Sequence, residues 1–327
     1  MKKRISSVLA VIFVVTALAG FSLAWERGTH AFIADYLKKA GGPYNIDEIY
    51  GAMAPDVFNY MFLPPNILFR DYLYDQTHHH FMKVRDAVNW GYEKSSAYGF
   101  LSHNNIWGAD STAHIASRTL LPGEGYVITK AAVLNGILLG IPEYAALLGG
   151  ANQPIALEIC HNIVEAAGDI VLVRFDPSVG ANLVEIASRP KPHMQNLMAR
   201  AYAQGLADES ASLGFPLTLA EADLLIRNEE QNFRNSCIAY GFLLQQEESI
   251  IRENVIQEFK QLAQVYLVAN GIPVPPDPML EALLGASFSG AIAIIEGDYM
   301  LEIMATLAMV EKNMVMKVKQ TPGSKPI

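Results

Sequence analysis

Cysteine is scarce in this sequence, and Cys160 and Cys237 are the only two in 327 residues. Two cysteines can form at most one disulfide, which excludes a disulfide-rich scaffold. The residues alone leave open whether the two pair with each other or remain as buried thiols. Alternation of apolar and polar residues, the pattern of half-buried strands, is also rare, and this argues against a β-sheet protein.

Positive charge is in short supply too. The chain has 24 Lys and Arg residues against 33 Asp and Glu residues, and its formal net charge is −9. An acidic protein repels polyanions at long range, so nucleic acid is a less favoured partner, although a local metal cluster could override the repulsion. No protein partner can be inferred from the sequence.

The N-terminus has the composition of a secretory signal. Basic residues at 2–4 precede the apolar stretch 8–21, and small residues follow up to Ala24. We expect cleavage after Ala24, which separates a signal peptide, 1–24, from an exported chain, 25–327, in the periplasm or the medium. The signal carries three positive charges and no negative one, so the exported chain has a formal charge of −12 rather than −9.

Helical periodicity dominates the exported part of the chain. Apolar residues recur every three to four positions, and Pro- and Gly-rich connectors separate the periodic stretches. These stretches are 29–40, 77–95, 96–116, 127–148, 154–174, 179–189, 192–206, 218–265 with at least one break, and 277–316. No internal repeat or domain boundary interrupts them. The sequence therefore predicts an all-α fold with a single multi-helix domain.

Two of these helical regions are unusually apolar, at 131–148 and 282–295. Both are compatible with core helices of a large helical bundle, and both are compatible with a face that touches a membrane peripherally. The sequence leaves these two interpretations open.

A first group of metal-type ligands lies in the segment SHNNIWGADSTAH. Asp110 and His114 follow His103 by seven and eleven positions. On one continuous helix these steps place all three side chains within about 40° of a common face. Two imidazoles and a carboxylate on one face suit a zinc ion.

His161 and Glu165 form a second pair of candidate ligands. They are one helical turn apart, so both can reach the same ion. Asp169 lies one turn further along and could steady His161 through a hydrogen bond.

Asp56 and the run of three histidines at 78–80 are ambiguous by themselves. Asp56 could equally cap a helix, and the histidines could form a solvated turn.

Taken together, the candidate residues resemble the zinc-dependent phospholipase C family. They also resemble its relatives, the zinc-dependent single-strand nucleases and the phospholipase D that releases glycosylphosphatidylinositol anchors. The matching residues fall in the order Trp25, His30, Asp56, the HHHF histidines, His103, Asp110, His114, His161 and Glu165. The resemblance covers about 25–170 and carries no information on 176–327.

The resemblance implies up to three zinc ions. Its first ion would be held by the freed amine and carbonyl of Trp25, with His30 and Asp110. Its second would be held by Asp56, His80, His103 and the bridging Asp110. Its third would be held by His114, His161 and Glu165. His80 is the first choice within the histidine run because the family's ligand often precedes an aromatic residue, and His79 is the reserve.

One departure from the family concerns spacing. Six residues separate His103 from Asp110, where the family usually has three. On a continuous helix the extra turn adds roughly 4–5 Å between the two side chains. A kink at Gly108 would shorten this distance, and otherwise the metal site would be altered or incomplete.

The resemblance also implies a function, hydrolysis of phospholipid headgroup phosphodiesters by zinc-bound water, with Asp56 helping to activate that water. Aromatic residues at Tyr60, Phe62 and Phe69 would contact the headgroup, or would simply pack in the core. Two alternatives remain. One is a single-strand nuclease or nucleotidase on the same scaffold, which the acidic charge and the final H-x-x-x-E pair disfavour. The other is a non-catalytic zinc-binding protein that interacts with membranes.

Overall fold

Helices account for nearly all regular structure in this protein, as the periodicity predicts. The computed structural model describes residues 25–37, 45–61, 65–120, 123–189 and 192–318. Within those ranges the chain forms 15 α-helices and no strand, which confirms the all-α prediction. The expected signal peptide lies outside the described residues.

Six helices carry or flank the candidate ligands in the first part of the chain. They are α1 (Arg27–Leu37), α2 (Asn45–Met53), α3 (Ile67–His78), α4 (Met82–Asp86), α5 (Glu93–His103) and α6 (Ala109–His114). A 3-10 helix, Ala54–Tyr60, follows α2 directly and carries Asp56 in its first turn.

The remaining helices surround this first part. They are α7 (Tyr126–Leu138), α8 (Pro142–Leu148), α9 (Gln153–Phe175), α10 (Val179–Ser188), α11 (Pro192–Ser210), α12 (Leu219–Leu244), α13 (Glu248–Ala269), α14 (Asp277–Ile295) and α15 (Tyr299–Asn313). Helix α9 lies at the centre, where it packs against α1, α7 and α14. Its run from 162 to 172 is buried throughout, and His161 and Glu165 project from it.

The predicted continuous helix over 96–116 is wrong. Helix α5 ends at His103 and α6 begins at Ala109. The Oδ1 atom of Asn104 accepts hydrogen bonds from the backbone N–H groups of Ile106 (2.9 Å) and Trp107 (2.9 Å). A short polar side chain that binds nearby backbone amides offers the chain an alternative to helical hydrogen bonds, and the helix stops there. The stretch 77–95 is not one helix either, because the helical structure is interrupted between His78 and Met82 and again before Glu93.

The two apolar stretches adopt different forms. Helices α7 and α8 meet at a bend of 120°, so 131–148 is not one straight helix. Among the described residues, α14 is the one helix long and apolar enough to cross a membrane, and 44% of its apolar window is buried in the protein. Core helices meet the same criteria of length and composition, so this is weak evidence for a membrane span.

Both cysteines are buried free thiols. Cys160 and Cys237 therefore do not form a disulfide in this structure.

Candidate metal centre

Four buried side chains converge between α3, α5, α6 and the 3-10 helix. We call this set the first metal group, and its members are Asp56, His78, His103 and Asp110. One ligand atom from each lies within 4.8 Å of the corresponding atoms of the others. The Nε2 atom of His103 is 3.1 Å from Nε2 of His78, 3.0 Å from Oδ2 of Asp110 and 3.4 Å from Oδ1 of Asp56.

The orientation of the two imidazoles follows from their outer nitrogens. Nδ1 of His103 donates to the carbonyl of Ala52 (2.8 Å), and Nδ1 of His78 donates to the carbonyl of Tyr74 (3.0 Å). A carbonyl can only accept, so each ring carries a proton on Nδ1 and turns Nε2 towards the other ring. Two facing nitrogen lone pairs beside two carboxylates repel one another unless a cation lies between them. This donor set fits a metal ion.

The pKa shifts in the first metal group also indicate that a positive charge stabilises it. Burial alone would lower the pKa of His103, but the carboxylates of Asp110 and Asp56 raise it to about 10. Burial would raise the pKa of Asp110, yet the His103 imidazole holds it well below its usual range. Without a metal, a proton on His103 is thus the cation that the group retains.

His30 and Trp25 lie directly beside this group. The His30 ring stacks on His103 with centroids 3.9 Å apart, and its Nε2 is 3.1 Å from Oδ1 of Asp110. The Trp25 indole donates to the carbonyl of Ala109 (3.0 Å). Helix α1 therefore brings His30 beside Asp110, and Trp25, which precedes the helix, contacts the backbone of the neighbouring Ala109.

A second metal group consists of His114, His161 and Glu165. Nε2 of His161 is 2.7 Å from Oε1 of Glu165, and Nε2 of His114 is 3.7 Å from the same oxygen. Glu165 is buried, and beyond the close approach of the two histidine rings to Oε1 neither of its oxygens has a hydrogen-bond partner among the described residues. Burial raises its pKa well above the usual range, and the nearby Glu26 and Asp110 carboxylates add to this. A cation would remove both penalties.

The two groups differ in their access to solvent. The side chains of His114 and His161 are 11% and 13% exposed, whereas those of His78 and His103 are fully buried. A molecule from solution would therefore meet the second group first.

The long spacing between His103 and Asp110 does not separate them. The chain leaves α5, turns through 104–108 and enters α6, which returns Asp110 to within 3.0 Å of His103. Gly108 permits this return, because a Cβ at that position would overlap the backbone of His103 and lie 2.6 Å from the amide nitrogen of Asn104. The prediction that a kink at Gly108 shortens the distance is supported in its result, although the helix is interrupted over 104–108 rather than kinked at one residue.

Close helix packing positions His103 from the other side. Gly51 of α2 faces α5, and Gly99 of α5 faces α2. A Cβ at either position would overlap a backbone carbonyl oxygen of the facing helix. The contact brings the carbonyl of Ala52 within reach of His103.

The choice of His80 within the histidine run is corrected by the structure. His78 lies in the first metal group, whereas His79 and His80 are 44% and 57% exposed and contact Asp75. The reason is the direction of α3, which ends at His78 with this side chain facing the core. The helical repeat from the buried Phe69 and Leu73 leads to Thr77, one position before His78, so the sequence spacing carried no signal for His78.

The hydrogen bonds of Asp169 go to helix α1, whereas a contact with His161 was expected. Its oxygens accept hydrogen bonds from the N–H groups of Gly28 (2.8 Å) and Thr29 (2.9 Å) and from the Thr29 hydroxyl (2.7 Å). Asp169 therefore caps the N-terminus of α1 and holds the segment that carries His30.

The predicted headgroup contacts gain no support. Phe69 is fully buried and packs edge-on against Phe215, so its assignment to a binding surface is wrong. The Tyr60 side chain and Phe62 lie outside the described residues.

Comparison of this chain with known protein families, with curated proteins and with solved structures finds no match. Among the described residues the protein is all-α, with a buried first group and a partly exposed second group of side chains that could hold metal ions.

Proposed function

We propose that this protein is a zinc-dependent hydrolase of phosphodiesters and that its substrate is a phospholipid. The observation that carries the proposal is the pair of metal groups at the two ends of α6, with Asp110 in the first and His114 in the second. Mixed imidazole and carboxylate ligands favour zinc over magnesium or calcium, which prefer oxygen alone.

The second group has the composition of a catalytic zinc site. Two histidines and one glutamate leave a fourth position open in tetrahedral coordination. The partial exposure of His114 and His161 puts that position on the side that a substrate can reach. The chemistry that zinc supplies in such sites is Lewis acidity and a lowered pKa of bound water.

Asp56 is the residue of this chain that we assign to proton handling. Its Oδ1 accepts a hydrogen bond from Asn59 (2.8 Å), which fixes the carboxylate, and its Oδ2 has no hydrogen-bond partner among the described residues. In this proposal the second oxygen, which lies 3.8 Å from Nε2 of His30, orients a nucleophile and accepts its proton.

A full set of three zinc ions would also require the amine of Trp25, freed by cleavage after Ala24. His30 and Asp110 would complete that site. The acidic character of the chain favours a lipid over a polyanionic nucleic acid.

The test uses purified protein beginning at Trp25. Zinc content is measured by elemental analysis, and hydrolysis is measured in parallel on phosphatidylcholine vesicles and single-stranded DNA. We expect about three zinc ions per chain and release of diacylglycerol. The variant Asp56→Asn should keep its circular dichroism spectrum while its turnover falls by at least about 100-fold.

Other results of these measurements would support a different function or exclude the role of Asp56. Cleavage of DNA alone would move the function to the nuclease alternative. Zinc binding without turnover on either substrate would support a non-catalytic zinc-binding protein. Full activity of Asp56→Asn would exclude the role given to that carboxylate.

A further inference from the structure

Asn105 contacts both metal groups from the segment that joins α5 to α6. Its backbone N–H donates to the carbonyl of His78 (3.2 Å). Its side-chain Nδ2 donates to the hydroxyl of Tyr74 (2.9 Å), and its Oδ1 accepts from Nδ1 of His114 (3.0 Å). Asn105 is itself buried.

The contact with His114 decides what that ring can bind. With its proton on Nδ1 and directed at Asn105, the imidazole must present the lone pair of Nε2. Nε2 is the atom that faces Glu165 in the second metal group. Asn105 thus selects the tautomer that can ligate a metal and holds the ring in that orientation.

The contacts with Tyr74 and His78 tie the same residue to the first group. The Tyr74 ring stacks on His78 with centroids 3.9 Å apart, and its carbonyl accepts from the His78 ring. The Asn105 side-chain amide therefore joins His114 of the second group to Tyr74, which contacts His78 of the first group.

We infer that Asn105 is a positioning residue that aligns His114 for metal binding, while its own backbone is held by His78 of the first group. The inference rests on the proposed binding of metal. Asn105 belongs to the additional residues between His103 and Asp110, so the added segment contributes to the centre. Residues that orient a metal-bound histidine typically account for about 10- to 100-fold in metal affinity.

The test measures zinc affinity by competition with a chromophoric chelator, on the wild-type chain beginning at Trp25 and on four variants. Asn105→Ala should weaken one zinc equivalent by about 10- to 100-fold. That equivalent should be the one abolished in His161→Ala, and the other equivalents should keep their affinity. Asn105→Asp retains an acceptor for Nδ1–H and should restore the lost affinity. Tyr74→Phe keeps the ring on His78 but loses the contact to the amide, and should weaken the same equivalent less.

The outcomes separate the inference from the proposed function. A wild-type chain that binds no zinc would overturn both. A zinc-binding wild type whose affinities are unchanged in Asn105→Ala would overturn the inference alone. Equal weakening in Asn105→Ala and Asn105→Asp would also overturn it, because the acceptor at this position would then have no role. Thermal melts by circular dichroism identify a variant that has lost its fold. If Asn105→Ala does not fold, the zinc affinity of the isosteric Asn105→Asp tests the inference.

Discussion

Glu302 offers a direct test of how the C-terminal part of the chain supports the metal centre. It is fully buried on α15 and accepts four hydrogen bonds from the segment that follows His114. The donors are the Ser117 hydroxyl (2.9 Å), the Arg118 N–H (2.7 Å), the Thr119 N–H (2.8 Å) and the Thr119 hydroxyl (2.6 Å). The perturbation is Glu302→Ala.

The expected magnitude follows from these four contacts. A hydrogen bond to a charged group contributes about 1.5–3 kcal/mol. Arg118 and Thr119 are exposed residues, so water can replace part of what their groups lose, whereas Ser117 is buried. We therefore expect a loss of about 3–5 kcal/mol in the free energy of unfolding, less than the sum of four bonds. Because the segment continues from α6, zinc affinity of the second group should fall as well.

The assay is urea unfolding followed by circular dichroism, with zinc at a fixed concentration. The matched control is Glu253→Ala, an exposed glutamate on α13, which should change stability by no more than about 0.5 kcal/mol. If Glu302→Ala unfolded within about 1 kcal/mol of the wild type, the buried carboxylate would not be the anchor of this segment.

Three further predictions concern the first metal group. Gly108→Ala should lower the free energy of unfolding by about 1–3 kcal/mol and reduce the zinc content, because the new Cβ overlaps the backbone of His103; urea titration and elemental analysis check this. His78→Ala should lose zinc, whereas His80→Ala should keep the wild-type content, and equal zinc content in the two variants would contradict the assignment. In chelator-treated protein the pKa of His103 is raised to about 10 from 6.5, so its stabilising contribution is full below pH 6.5 and lost as the pH rises towards 10. The urea midpoint of the metal-free protein should therefore fall between pH 7 and pH 10 in the wild type, with a smaller fall in His103→Gln.

Local features of the centre could be predicted from the sequence because they depend on helix geometry. His161 and Glu165 are one turn apart on a single helix, and their approach in the structure follows from the helical repeat. The grouping of His103 with Asp110 was also expected, although the reason given for it, one shared helical face, was wrong.

Other features depend on packing between distant segments. Asp169 caps α1 across 140 residues of sequence. No pattern of residue spacing indicates which backbone amides a carboxylate will meet. Asn105 had no signal as a functional residue, because its partners come from α3 and α6 and meet only after folding.

The sequence by itself determined the all-α class and the identity of the ligand types, since helical periodicity and the placement of histidine and carboxylate residues are local properties. Only the tertiary structure decided that His78 rather than His80 enters the first group, and that 104–108 folds back to return Asp110 to His103. The physical reason is that a metal group forms only where side chains from separate segments come close together. Those distances are set by how closely helices pack, as at Gly51 and Gly99, and by where Asn104 ends a helix.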